Sequence, residues 1–396
     1  MDEAMRFDVA VIGGGSTGSS IAYHLTKDGA GKVVLLEREH VGWGQTGRST
    51  AVVRLHYSTV EVARMALYSW EELRRMEEVV GGPSGFTACG FAIAVDERDM
   101  EGLKRNVEMQ QRIGINTRII TPEELADLQP GIDVGGLAAA AYEPWSGYAD
   151  PVQTAQSYAG AASEMGCVFL SKTEVRGLKV ESSRVVSILT NKGQVEADTV
   201  VNATGVWANS LLAGIGVRLP IHVMKEEIVV WKRPETFSGT HTVFADLPNN
   251  YYMRPYGASQ TYMGSINPDT AHWGDTPNDF NLDDRVSLTT VSEYGAAVSS
   301  RFPAMAEARY AGGWIGLYDV TPDWHPIIGF SEKFHNLFHV VGLSGHGFKL
   351  APALGKITSE TILRGRSTLV DTHHFSEGRF REGRLIGSSY KYGVIS

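Results

Sequence analysis

The chain has 396 residues, 43% of them hydrophobic and 20% charged, with a net charge of −9. That length suits two or three domains, and the composition excludes a disordered chain. The acidic balance excludes a protein that relies on a basic face to hold nucleic acid or anionic lipid.

The first residues, Met1 to Arg6, include two acids where a secretory signal would carry cations. No apolar run approaches the ~20 residues needed to span a bilayer. Cys89 and Cys167 lie far apart and form neither a metal spacing nor a disulfide framework. A reduced, cytoplasmic protein without a membrane span is expected. Glycine is the outlier, with 44 residues where average usage gives roughly 28.

Residues 7–12 read as a buried parallel strand, which runs directly into Gly13-Gly14-Gly15-Ser16-Thr17-Gly18. Gly13, Gly15 and Gly18 satisfy G-x-G-x-x-G. A helix over 19–26 and a second strand over 32–36 follow, ending at Glu37. The spacing is close to the roughly 20 residues expected for an acid that binds a ribose hydroxyl. Gly13 permits the tight turn, Gly15 lets the backbone approach a pyrophosphate, and Gly18 lets helix and strand pack closely. The helix N-terminus offers free N–H groups to phosphate. This order of parts points to a dinucleotide; the ribose acid alone does not separate FAD from NAD.

A loop dense in glycine and hydroxyls spans 42–51 and contains Thr46, Arg48, Ser49 and Thr50. Arg54 follows it, and then an amphipathic helix over 60–79. A turn, Gly147-Tyr148-Ala149-Asp150-Pro151, precedes a helix over 152–165 and a strand over 166–170. A hairpin with arms over 185–189 and 194–197 turns at Asn191-Lys192-Gly193. A separate strand from Asp198 then ends in Ala203-Thr204-Gly205, followed by Trp207. From 219 to 303 long alternating stretches indicate an antiparallel sheet, to which 81–144 contributes. A strand over 337–341 leads into Gly342-Leu343-Ser344-Gly345-His346-Gly347-Phe348-Lys349. The helix after it starts at Leu350, with Pro352 tolerated in the first turn. The glycine loop aims backbone N–H groups at whatever sits above it.

With these motifs the chain resembles the D-amino-acid oxidase superfamily of FAD-dependent oxidoreductases, nearest its sarcosine oxidase, glycine oxidase and dimethylglycine dehydrogenase branch. The resemblance covers about 7–370. It implies an α/β fold: a Rossmann-like FAD-binding domain (1–80, 145–218 and 304–372) interleaved with an α+β substrate domain built on an antiparallel sheet (81–144 and 219–303). Nothing functional is read from the tail, 373–396. In that family Glu37 and Arg38 meet the adenosine ribose, and Ser16, Thr17 and the 46–50 loop run along the pyrophosphate and flavin. Val175 offers a backbone contact to adenine, and Ala203, Thr204, Gly205 and Trp207 edge the cofactor. Gly345, His346, Gly347, Phe348 and Lys349 meet the flavin at its pyrimidine edge, with His346 orienting the loop.

The resemblance also implies a small amine substrate bearing a carboxylate, held by Arg54 and Lys349, with Tyr252 and Tyr318 lining the amine pocket. Hydride passes from the C–N carbon to FAD, and the resulting imine hydrolyses. Gly316 stands where monomeric sarcosine oxidases bond a cysteine to the flavin, and no histidine follows Trp43, so FAD is expected to be non-covalent. Tyr262 replaces the lysine that promotes reaction with oxygen, which leaves oxygen and an electron-transfer acceptor both open. Two other readings stand: a 2-hydroxy acid or glycerol-phosphate dehydrogenase, for which Arg254 is the one candidate phosphate ligand, and a flavin-holding subunit of a heteromeric complex. A homo-oligomer is equally open.

Overall fold

Five strands pair as parallel neighbours within an eight-stranded sheet, with Val168–Leu170 at one edge. They lie in the order Val168–Leu170, Val33–Leu36, Met5–Ile12, Gly193–Asn202 and Leu337–Val341. Val33–Leu36 and Leu337–Val341 are buried at every position, as expected for parallel strands covered on both faces. The helices Ser16–Lys27, Pro151–Glu164, Val60–Arg74 and Gly347–Arg364 pack together on one face. The computed structural model describes residues 5–390; 1–4, and 391–396 of the 373–396 tail, lie outside it.

A second, nine-stranded sheet holds His222–Lys232 at its heart, flanked by Gln260–Ser265 and Arg309–Val320. Tyr251–Tyr256, Val243–Asp246 and Phe91–Val95 extend it, and Ala139–Glu143 and Arg118–Ile120 close that side. Both 81–144 and 219–303 thus supply strands to it. One pair breaks the antiparallel expectation: Val243–Asp246 runs parallel to Phe91–Val95.

Several local expectations are corrected. The arm over 194–197 and the strand from Asp198 are one strand, Gly193–Asn202, because Met5–Ile12 pairs along nearly all of it. The helix over 60–79 breaks at Arg75, which leaves the helical region at φ −118°, ψ 22°. The last long helix begins at Gly347, so Pro352 lies inside it and not in its first turn. Pro352 has no N–H to offer the Phe348 carbonyl. Arg309–Val320 falls within 304–372, yet its ladder is with His222–Lys232 of the second sheet. The tail packs back on the body: Arg379 is fully buried and forks onto Asp323 at 2.8 and 2.9 Å.

Candidate functional site

A cavity of about 660 Å³ runs between the two sheets, inside the roughly 300–1,000 Å³ range of small-molecule sites. One end is built on the glycine turn. Gly13 has φ +110°, and a Cβ there would sit 2.5 Å from the Ala203 carbonyl oxygen. A Cβ on Gly18 would be driven into the Gly13 carbonyl oxygen. Gly18 is therefore the packing glycine and stays behind the wall, while Gly13 and Gly15 line the cavity.

Glu37 is buried with its carboxylate clasped by backbone. Gly14 N donates to Oε2 at 2.7 Å and Glu39 N to Oε1 at 2.8 Å. A side chain at Gly14 would collide with Glu37, its Cβ 2.9 Å from the Glu37 Cβ. Arg38 lies 3.8 Å from the Trp207 ring centre and 4.8 Å from that of Trp43, a cation held against two π faces. Ser16, Thr17, Val175, Ala203, Thr204 and Gly205 share this end.

The 42–51 loop ties the glycine turn to the second sheet. Ser16 N donates to Thr46 Oγ1 at 2.9 Å. Arg48 donates to the carbonyls of Leu282 (3.1 Å) and Ile315 (3.0 Å), and Leu317 N donates to Gln45 Oε1 at 2.7 Å. Arg48 thus fastens the loop while also lining the cavity, as Ser49 and Thr50 do.

At the other end Thr50 Oγ1 and the Tyr252 hydroxyl are 3.1 Å apart, and Tyr252 is hydrogen-bonded to Tyr318. Gly345 sits on the Tyr318 ring: with φ +80°, its Cβ would lie 2.9 Å from Tyr318 Cε2. Lys349 Nζ donates to Gly345 O at 3.4 Å. Burial and the nearby Arg54 charge hold the Lys349 ammonium well below its usual range. Arg54 is buried, lies 4.1 Å over the Tyr57 ring and donates to His56 O. Two basic groups therefore share one enclosed wall. Asp319 braces the glycine loop, accepting from Gly342 N at 2.7 Å on Oδ2 and from Ser344 N at 3.0 Å on its carbonyl. Burial raises its carboxyl to about 6. The helix Gly347–Arg364 has no side-chain cap for its first N–H groups, and its first residues, Gly347, Phe348 and Lys349, line the cavity.

The family of FAD dependent oxidoreductases known as DAO matches residues 8–361. The chain belongs to that family. A sarcosine oxidase subunit beta of Rhodobacter capsulatus is 30% identical to this oxidoreductase over 400 residues, covering 98% of this chain and 92% of that one. An L-proline dehydrogenase from P. horikoshii superposes with a TM-score of 0.87 at 29% identity, covering 97% of this chain and all (100%) of that one. A glycine oxidase from Geobacillus kaustophilus does so with a TM-score of 0.80 at 25% identity, covering 95% and 99%.

FAD is the oxidoreductase's cofactor, and the residues fit it. The Gly13–Gly15 turn leaves backbone bare where a pyrophosphate would approach, at a helix N-terminus. Gln45 Nε2 is a buried donor with no hydrogen bond among the described residues, on the wall of the same cavity.

Two expectations change. His346 is not on the cavity wall; it is buried behind the loop with its ring edge-on to Tyr57. Ser344 (φ +49°) and Gly345 (φ +80°) turn the chain there, so consecutive side chains leave in different directions. Arg254, the candidate phosphate ligand, also misses the wall; it lies 4.4 Å over Tyr148 and 4.6 Å over Tyr262 and donates to Pro255 O at 3.1 Å. Sequence reasoning missed Glu226, Asp319 and Gln45, which all line the cavity. No pattern in the sequence singles out Glu226, since Lys225 and Glu227 flank it on the same strand.

Proposed function

We propose that this oxidoreductase oxidises the C–N bond of a small amino acid or N-alkyl amino acid of the sarcosine, glycine or proline kind. The observation that most supports this reading is the pairing of Arg54 with Lys349 on one enclosed wall. Two buried basic groups repel each other, and an anion between them relieves that repulsion. The planar guanidinium of Arg54 suits a carboxylate, and Lys349 supplies a second point of charge. An arriving carboxylate favours the protonated form of Lys349, so binding takes up a proton where the empty cavity leaves the amine neutral.

Tyr252 and Tyr318 would line the amine end and exclude water, their hydroxyls joined to each other and to Thr50. When bound, FAD supplies the two-electron acceptor. The N-terminus of the helix at Gly347 borders the cavity, and its positive dipole would favour the negative charge of a reduced flavin held there. No cysteine or histidine lines the cavity among the described residues, which supports non-covalent FAD. Arg254 outside the cavity removes the support for a phosphate-bearing substrate.

Anaerobic mixing with a panel of amino acids, N-methyl amino acids and 2-hydroxy acids tests this reading separately from the acceptor. Bleaching of the flavin by one or more amino acids is expected. Bleaching by hydroxy acids alone would overturn it.

A further inference from the structure

Glu226 is a feature of this cavity that a carboxylate anchor leaves unexplained. It stands on His222–Lys232 directly opposite Gly316, is 4% exposed, and lines the cavity. Its Oε1 accepts from Ser265 N at 2.7 Å, and Oε2 has no hydrogen bond among the described residues. No cation is paired with it there either. Its neighbour Glu227 differs, taking Lys225 at 3.3 Å and Ser287 N at 3.2 Å. Glu226 is kept close to Tyr252 by a glycine: a Cβ on Gly264 would lie 2.8 Å from Glu226 Oε1 and 2.7 Å from Tyr252 Cε1.

The groups that act on it come from every side. Glu227 is on its own strand, Tyr252 lies on Tyr251–Tyr256, Tyr318 on Arg309–Val320, and Tyr294 on Leu288–Arg301. None of them is a cation. A buried carboxyl without a counter-charge is costly unless a ligand provides one. The same cavity also holds the opposite charge. Lys349 reaches Gly345, Gly345 rests on Tyr318, and Tyr318 bonds Tyr252 beside Glu226. Basic groups and an acid thus line one cavity and are linked through the two tyrosines, the charge pair that a small zwitterion needs.

We propose that Glu226 is the amine-recognition group of this site: it faces the nitrogen of a substrate whose carboxylate lies on Arg54 and Lys349, and takes the ammonium proton as the neutral amine forms. The inference rests on the amino-acid reading above. In the step an N–H bond of the ammonium breaks and an O–H bond on Glu226 forms. No electrons change owner; the nitrogen recovers the lone pair that assists hydride loss from the adjacent carbon. Burial lifts the Glu226 carboxyl to about 8, which brings it close to the range of an amine and makes the transfer nearly balanced. A substrate with at least one N–H satisfies Glu226 better than one with none.

The test compares sarcosine with methoxyacetate, which replaces N–H by an ether oxygen in the same shape. Affinities are measured by calorimetry from pH 6 to 10 on holoenzyme whose flavin has been reduced with dithionite, so that binding is not followed by turnover. Titration of Lys349 and Arg54 affects both ligands alike, and their ratio isolates the amine end. In the wild type the preference for sarcosine should climb with pH and level off near 8, as the carboxyl ionises. Glu226→Gln should lower that preference by about ten- to a hundredfold, the range of a charged hydrogen bond, and abolish the bend. Glu226→Asp should restore part of both. A bend of the same size in Glu226→Gln, or a wild type whose preference is flat with pH, overturns the proposal even if one variant misfolds. If glycine, sarcosine and L-proline neither bind nor bleach the wild-type flavin, the amino-acid reading itself falls.

Discussion

Replacing Glu37 by glutamine isolates what one buried carboxylate does for the fold and for the cofactor. The carboxylate accepts from Gly14 N and Glu39 N, clasping the glycine turn to the end of Val33–Leu36 before any ligand arrives. Glutamine preserves the shape but has a single acceptor atom, so its NH₂ must face one of the two N–H groups, donor against donor. Losing one charge-assisted bond of about 1.5–3 kcal/mol should lower apoprotein stability by that order. FAD affinity should also fall, by about tenfold or more, because a ribose hydroxyl then meets a neutral acceptor in place of a charged one. Urea unfolding of the apoprotein and fluorescence titration with FAD read the two effects separately. Unchanged apoprotein stability would refute the clasp, and unchanged FAD affinity in a destabilised variant would refute the ribose role.

Lys349→Met should leave apoprotein stability level or higher, since burial disfavours the charged amine, while methoxyacetate binding weakens by about tenfold or more by calorimetry. Gly18→Ala should fail to hold FAD, because its Cβ meets backbone at Gly13; Gly316→Ala should bind normally, with nothing nearer than Arg48 O at 3.7 Å. His56, buried and held down to about 3 by burial and the Arg54 charge, stays neutral in the fold while the unfolded chain takes up a proton below about 6.5. It therefore contributes stability above about 6.5 that is lost as pH falls toward 3, by about 1.4 kcal/mol per unit. Chemical unfolding of His56→Gln should show a shallower decline between pH 6 and 5 than the wild type, and an equal slope would refute this.

The cofactor half was legible in the sequence because its determinants are local. A strand, three spaced glycines, a helix and an acid recur within some thirty residues, and each has one steric or electrostatic reason to be there. The substrate half depends on which strands meet across long separations. Arg309–Val320 looked like a continuation of the 304–372 segment, and only its ladder with His222–Lys232 assigns it to the other sheet. Glu226 and Glu227 are adjacent, so alternation sends them to opposite faces; the sequence does not reveal that both faces are covered and both acids buried. His346 sits in a motif whose backbone role was readable, but the positive φ values around it redirect the side chain.

The buried contact of His56 Nε2 with the Tyr390 hydroxyl, at 2.8 Å, joins positions 334 residues apart. It secures the same backbone whose carbonyl receives Arg54. This fastening can form only once the chain has been made as far as Tyr390, roughly 20–70 s after His56 at ribosomal speed. Until then the backbone around Arg54 lacks one of its holds, although the glycine turn and the Glu37 carboxylate that clasps it are already made.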